Sequence, residues 1–349
     1  MSAAAAPIRV LVCEDSRVYS VALRRTLEHE GDIVVAAVCP NAEQALAMLP
    51  GVEPDLVTMD IELPGMTGLE AVEHIMASRP TPILVLSSHV GEEGSAAAAA
   101  LAAGALEALA KDDIDLTRPG GAAAAAFRRR VRTLARARVI RHPRARLKQA
   151  RTRAAARPRQ VAAAGVVAST GGPQALATVL GGLPPDYPVP VLVVQHIAAG
   201  FIDGLVRWLD GAIDLSARLA EDGAQLAPGI TVAPEGVHLR VGPDGRLVLD
   251  RRGNGGLHRP SGDVLLASLA ESLGADAAAV VLTGMGRDGA VGAAKVHAAG
   301  GLVIAQDEES SAVFGMPKAA AELGVDAVGS PEEIAALLSS LEPVGERRR

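Results

Sequence analysis

Aromatic residues are almost missing from this chain. Its 349 residues include three Phe, two Tyr and one Trp. That scarcity excludes single-stranded nucleic-acid platforms, which stack bases on aromatic rings, and it leaves the cores to Ala, Val and Leu. Cysteine is as scarce. Cys13 and Cys39 lie apart in strand-like surroundings, so they build neither a disulfide framework nor a ligand cluster and read as buried apolar residues. Beside them His29, His74, His89, His142, His238, His258 and His297 offer no zinc-like spacing. The opening MSAAAAPIRVLV lacks a cationic leader, so no signal peptide is expected. Residues 160–185 carry no charge, which raises the question of a membrane span. A span needs ~20 mostly apolar residues, and Ser169, Thr170, Gly171, Gly172, Pro173 and Gln174 interrupt this one. A strand, a turn and a helix in a cytoplasmic protein, with no membrane insertion, is the expectation.

Acidic residues are also absent from one long stretch. The chain has a formal net charge of −6, yet residues 116–160 contain no Asp or Glu and 15 Lys or Arg. The first part of this basic, Ala-rich stretch could be a helix, but Pro143 and Pro158 break it, so the whole reads as a linker over 116–160. It separates two regions, 7–115 and 161–342, each with the alternation of short apolar strands and helices that marks an α/β fold. In the first, IRVLVCED, IVVAAVC, PDLVTMD, TPILVLSS and ALEALAK read as five strands of a parallel sheet wound on both faces. In the second, VAAAGVVAS, VPVLVVQH, AAAVVLTGMG and GLVIAQD read as buried parallel strands. ITVAPEG, HLRVG and LVLD read as shorter ones, with a hairpin around Gly242 to Gly245.

In the first region the polar residues collect where the strands end. Glu14 and Asp15 follow the first strand, Asp60 ends the third, Ser87 the fourth and Lys111 the fifth. Open parallel sheets bind ligands beyond these carboxyl ends, so the five should converge. Clustered carboxylates repel unless a cation lies among them, and an all-oxygen set suits Mg²⁺. One carboxylate beside a metal and a lysine can accept a phosphoryl group. The plain alternative, that each acid merely caps the next helix, fits a single acid better than the whole set.

These motifs, CEDS, MDIELPGMTGLE, LVLSS and the strand-five lysine, resemble a response-regulator receiver domain, whose fold is flavodoxin-like with a five-stranded parallel sheet. The resemblance implies that Asp60 is phosphorylated and that Asp15 ligates Mg²⁺. It implies that Glu14 acts through water, that Glu62 offers its backbone carbonyl, and that Ser87 and Lys111 are the switch residues. Two positions depart from the pattern: Asp112 stands where proline is usual, and Ala108 where an aromatic is usual.

The second region presents VVASTGGPQAL. Ser169 lies at the end of a strand, before a glycine pair that lets the backbone turn closely. His196 ends the next strand and Asp288 follows a third, so one crevice can hold all three. A serine beside an imidazole beside a carboxylate is the arrangement that makes a hydroxyl nucleophilic. The order Ser, His, Asp and the absence of a G-x-S-x-G elbow separate it from the α/β-hydrolases. From these residues alone Ser169 could equally cap a helix or, without a P-loop lysine, line a phosphate loop.

The stretches ASTGGPQAL, VVQHIAAGF, PEGVHL, HRPSGDVLL, VLTGMGRDGA and DEESSAVFGMPKAA resemble, in order, the doubly wound α/β methylesterase domain of the chemotaxis protein-glutamate methylesterases (CheB-type). The resemblance implies Ser169 as nucleophile, His196 as base and Asp288 as its orienter. Thr170 and Met285 are second-rank candidates through their backbones, and His258 borders the groove. Val167 departs from the family's glycine and is expected to stiffen the turn before Ser169. The implied catalytic region needs no cofactor.

The expected function is therefore a phosphorylation-gated hydrolase of glutamate γ-methyl esters on chemoreceptor cytoplasmic helices, with deamidation of certain glutamines. A chemotaxis histidine kinase would serve as phosphodonor. The unphosphorylated receiver would block the crevice until Asp60 is modified. Two rivals stand beside this reading. A receiver with a basic segment also describes a nucleic-acid-binding regulator, although a solvated linker explains the charge and no nucleic acid is expected. A catalytically idle scaffold would retain the receiver but has no use for the Ser, His and Asp set.

Overall fold

The computed structural model describes residues 6–88, 94–139, 159–252 and 258–344. The chain forms two compact units. The first is a five-stranded sheet in the order β2-β1-β3-β4-β5, every pair parallel. Its strands are β1 (Ile8–Cys13), β2 (Ile33–Cys39), β3 (Leu56–Asp60), β4 (Ile83–Ser87) and β5 (Glu107–Ala110). Helices α1 (Arg17–Leu27), α2 (Ala42–Val52), α3 (Gly68–Ser78) and α4 (Gly94–Ala103) alternate with them. Every residue of β3 and β4 is buried. Covered on both faces, such strands need continuous apolar runs, not alternation, and each fully buried Val, Leu or Ile contributes roughly 1.5–3 kcal/mol. Cys13 and Cys39 are free, buried register partners on β1 and β2. Burial pushes both thiols up, so they are inert.

One expectation needs correction. The stretch read as linker opens with a helix of the first unit, α5 (Ala122–Leu134). Ala124, Phe127, Arg128, Val131 and Leu134 form its buried face. Arg128 is only 1% exposed. Its guanidinium donates to Glu30 Oε1, to Thr26 O and to Pro119 O, at 2.5–3.1 Å. Arg132 pairs with Asp32 and Glu30. A run rich in arginine reads as solvated charge, but a guanidinium can be buried when each N–H finds an acceptor. The helix-breaking prolines lie beyond its last turn. The rest of the predicted linker, residues 140–158, falls outside the described residues.

The second unit carries a seven-stranded parallel sheet in the order β15-β14-β13-β7-β8-β10-β9. These strands are β7 (Ala163–Ala168), β8 (Val191–Gln195), β9 (Ala217–Leu219), β10 (Ile230–Val232), β13 (Ala277–Val281), β14 (Leu302–Gln306) and β15 (Ala327–Gly329). Strands β11 (His238–Val241) and β12 (Leu247–Asp250) form the hairpin expected around Gly242 to Gly245. The short strands β6 (Gln160–Val161) and β16 (Glu342–Pro343) pair with each other. The helices are α6 (Gly172–Gly181), α7 (Ile202–Ala212), α8 (Gly262–Leu273), α9 (Ala290–Ala298), α10 (Met316–Leu323) and α11 (Pro331–Ser339). Leu265, Leu266 and Leu269 of α8 pack on β7 and β13 through Val167 and Val281.

Val167 lies within β7, not in the turn, and it is fully buried. A Cβ on Gly262, at the start of α8, would lie 2.3 Å from Val167 Cγ1. The valine methyls thus fill the space that any larger residue at 262 would require. Its effect is on helix-to-sheet packing, in place of the stiffened turn expected from the sequence.

Candidate active site

The first unit brings its polar strand ends together. Glu14 and Asp15 leave β1, Asp60 closes β3, Ser87 closes β4 and Lys111 follows β5. Parallel register aligns them: Cys13 is opposite Met59, Asp60 opposite Leu86 and Ser87 opposite Ala110. Lys111 Nζ lies 2.6 Å from Asp60 Oδ2 and 2.7 Å from Glu14 Oε2. It also sits 4.8 Å from the centroid of the Tyr19 ring. Asp60 Oδ1 accepts from the Glu62 N–H at 3.0 Å, and Glu14 Oε1 from Ser16 N at 3.0 Å. Ser87 is fully buried.

The electrostatics are unbalanced. Burial pushes the carboxyls of Asp60 and Glu14 up, in spite of the Lys111 ammonium. Burial also works against the Lys111 charge, but its bonds to Asp60 and Glu14 outweigh that and hold the ammonium. One ligand oxygen each from Glu14, Asp15 and Asp60 lies within 4.8 Å of the others. Three hard oxygen donors with one ammonium among them fit a small divalent cation. Glu62 is exposed and joins the cluster through its N–H to Asp60.

In the second unit Ser169 follows β7 and His196 follows β8. The two strands are adjacent, and Ala168 and Gln195 are their last register pair. Ser169 and His196 are therefore the next residues outward on neighbouring strands. Asp288 lies in the loop between β13, on the other side of β7, and α9. It reaches His196 with Oδ2 2.8 Å from Nε2. A carboxylate at Nε2 favours the tautomer protonated there and leaves Nδ1 as the basic nitrogen. Nδ1 is buried and, among the described residues, has no hydrogen-bond partner. The Ser169 hydroxyl is likewise not bonded to the ring among the described residues. Serine-to-base bonds commonly tighten only around a substrate.

Asp288 is held by the start of α8. Oδ1 accepts from Ser261 Oγ at 2.8 Å and Asp263 N at 3.0 Å, and Oδ2 from Gly262 N at 2.6 Å. These are donors that the first turn of a helix leaves free, at its positive end. Burial opposes ionisation of Asp288. The bonds from His196, Asp263 N and Gly262 N outweigh it and hold the carboxyl well below the usual range.

Several supporting residues carry no sequence signature. The His258 ring stacks on that of His196, centroids 4.3 Å apart and 13° from parallel. The sequence put His258 at the groove but not on the His196 ring. Thr283 Oγ1 donates to Thr170 O at 3.0 Å and accepts from Val313 N at 3.0 Å. Ser169 N donates to Thr283 O at 3.0 Å. Gln195 and Gln306 each close a strand with a buried amide. The glycine pair has two distinct reasons. Gly171 sits at φ +71°, a left-handed conformation open to glycine. A Cβ on Gly172 would lie 2.1 Å from Gln195 Oε1.

Thr170 is buried, with its carbonyl occupied by Thr283. Met285 is half-buried in the loop before Asp288. Among the described residues its N–H has no acceptor, so it is free to donate. Gly284, just before it, is pressed against the serine, since a Cβ there would lie 2.7 Å from Ser169 Cβ.

A family model for the CheB methylesterase matches residues 164–338, and one for the response regulator receiver domain matches residues 10–117. Protein-glutamate methylesterase/protein-glutamine glutaminase 2 of Anaeromyxobacter dehalogenans (strain 2CP-C) is 44% identical over 337 residues, covering 96% of this chain and 97% of its own. Protein-glutamate methylesterase/protein-glutamine glutaminase 4 of Myxococcus xanthus (strain DK1622) is 38% identical over 355 residues, with 97% and 98% covered. Among solved structures, the Thermotoga maritima CheB methylesterase catalytic domain is 38% identical and covers 52% of this chain and 98% of its own, with a TM-score of 0.49.

Proposed function

Because the chain belongs to the family of protein-glutamate methylesterases/protein-glutamine glutaminases that carry a receiver domain, we infer that it is a phosphorylation-activated methylesterase of chemotaxis adaptation. It hydrolyses glutamate γ-methyl esters on chemoreceptors and releases methanol, and it deamidates particular glutamines. The observation that carries the chemistry is the His196–Asp288 pair at 2.8 Å, placed on the strand next to Ser169.

The reaction follows from that pair. His196 Nδ1 takes the Ser169 proton as Oγ attacks the ester carbonyl, and Asp288 holds the resulting imidazolium. The tetrahedral oxyanion is stabilised by backbone N–H groups, with Met285 N the best-supported donor and Thr170 N the second. His196 returns its proton to the leaving methoxide. Water, activated by the same imidazole, then releases the carboxylate. For a glutamine the leaving group is ammonia. No helix among the described residues is long and apolar enough to cross a membrane, and the substrate glutamates belong to receptor cytoplasmic helices.

Asp60 is the phosphoryl acceptor, and a chemotaxis histidine kinase is the donor. Asp15, Asp60 and the Glu62 carbonyl would hold Mg²⁺, with Glu14 reaching it through water; the bound ion offsets the charge developing on the transferred group. Lys111, already on Asp60 Oδ2, exchanges that bond for a phosphoryl oxygen, and Ser87 binds another. The phosphorylated receiver then ceases to restrain the esterase, which requires that phosphorylation stabilise the unrestrained state preferentially.

Methanol release from methyl-labelled receptor membranes tests the whole reading. The wild type should release methanol, faster with a small phosphodonor, and Ser169→Ala should release none. Release that survives Ser169→Ala would remove the serine from the mechanism. No release from the wild type under either condition would sink the esterase.

A further inference from the structure

The geometry points to Gln195 as a positioning residue for ester hydrolysis, one that sets the relation of nucleophile to base without touching substrate. This rests on the reading of the site given above. Gln195 closes β8 and is 2% exposed. Its Nε2 donates to Ser169 O at 2.9 Å and to His196 O at 2.8 Å. Both N–H groups of the amide are thus spent on the backbones of the two reacting residues.

The position matters because the sheet gives out there. The register of β7 and β8 ends at Ala168 and Gln195, and His196 N to Ala168 O, at 2.9 Å, ties the base to the end of β7. Immediately beyond, the chain swings into the left-handed turn at Gly171. Ser169 N is tied to the β13 side through Thr283 O. Gln195 supplies the tie on the β8 side and carries the crosslink one residue past the ladder, to where the reacting side chains begin.

The orientation of the amide is determined by these acceptors. A flipped amide would face its oxygen toward two carbonyl oxygens, so only the NH₂ can occupy that side. Oε1 is buried with no partner among the described residues. It lies against Gly172, where no Cβ can fit. A buried amide oxygen left unpaired is unfavourable. The side chain is therefore retained for what its nitrogen holds.

The test uses the full chain, activated with an acyl phosphate, as wild type, Gln195→Met and Gln195→Glu. Exhaustive titration with a fluorophosphonate counts reactive Ser169, and methanol release then gives kcat per titrated site and KM. Misplacing a reacting group by about 1 Å costs on the order of 10²-fold. We expect that loss in kcat per site for Gln195→Met, with KM unchanged. Gln195→Glu should fall further when ionised, because a carboxylate then faces two carbonyl oxygens. Its activity relative to wild type should rise as pH falls, when the protonated acid regains one donor. Full kcat per site with fewer titratable sites would overturn the proposal and leave Gln195 a residue of the fold alone. A ratio that does not change with pH would overturn it too. A wild type that releases no methanol strikes the esterase reading instead. The rate of Ser169 phosphonylation then decides the positioning role by itself: slowed in both variants it stands, and unchanged it fails.

Discussion

Each unit gathers acids at the carboxyl ends of a parallel sheet, yet burial acts on them with opposite net results. In the first unit Asp60 and Glu14 share one ammonium, and their carboxyls are pushed up. In the second, Asp288 is also buried, but two helix-terminal N–H groups, a serine hydroxyl and an imidazole surround it, and its carboxyl is held down. The first environment is short of positive charge, and its clustered carboxylate oxygens fit a small divalent cation. The second is rich in donors, and they favour the ionised carboxylate beside His196. Where a carboxylate sits in the sheet does not separate these roles; what donates to it does.

Removing the centre of the second site has the largest expected effect. Ser169→Ala should lower methanol release by on the order of 10⁶, as loss of a triad nucleophile does. Asp288→Asn should cost about 10⁴ in kcat, because a neutral amide no longer sets the imidazole tautomer. The same carboxylate sharpens the pH comparison. Its folded pKa lies below the unfolded value, so its contribution to stability is present above about pH 4 and is lost as pH falls through the folded value. Acid titration of unfolding should therefore show a contribution in wild type that is missing in Asp288→Asn.

Breaking the first site should act differently. Asp60→Asn should abolish stimulation by a small phosphodonor while basal release persists, and removal of divalent cations from the wild type should do the same. Equal loss of basal and stimulated activity would deny that the two sites are separable. A smaller effect is expected from His258→Ala. An aromatic stack adds ~0.5–1.5 kcal/mol beyond its buried area, so kcat should fall by no more than about tenfold. Smallest in catalysis, and visible in stability, is Arg128→Met. It strands the Thr26 and Pro119 carbonyls, which should cost about 1–3 kcal/mol in thermal unfolding of the first unit with little change in kcat.

The legible part of this protein was its strand ends. Largely apolar runs closed by polar residues placed Asp60, Ser87, Ser169 and His196 at strand ends, because a strand buried on both faces admits few polar groups before it leaves the sheet. That α5 packs into the first unit was missed because its buried face includes an arginine, and its fifteen-cation surroundings read as solvent-facing charge. Nothing local reveals that Glu30 and the Thr26 carbonyl, far away in the chain, would join the nearby Pro119 carbonyl in satisfying Arg128. The hairpin at Gly242 to Gly245 needed only local turn chemistry and was recovered.

By itself, then, the sequence determined the two α/β units, the strands that end at Asp60, Ser87, Ser169 and His196, and the glycines that permit the turn at Ser169. These follow from periodicity and backbone freedom, which are properties of neighbouring residues. Only the tertiary structure decided which nitrogen of His196 meets Asp288, that His258 lies flat on that ring, that Gln195 bridges the backbones of Ser169 and His196, and that Val167 is matched by Gly262. Each of these is a contact across tens of residues, chosen by packing density and by the requirement that buried polar groups find partners, and neither condition exists until the sheet has closed.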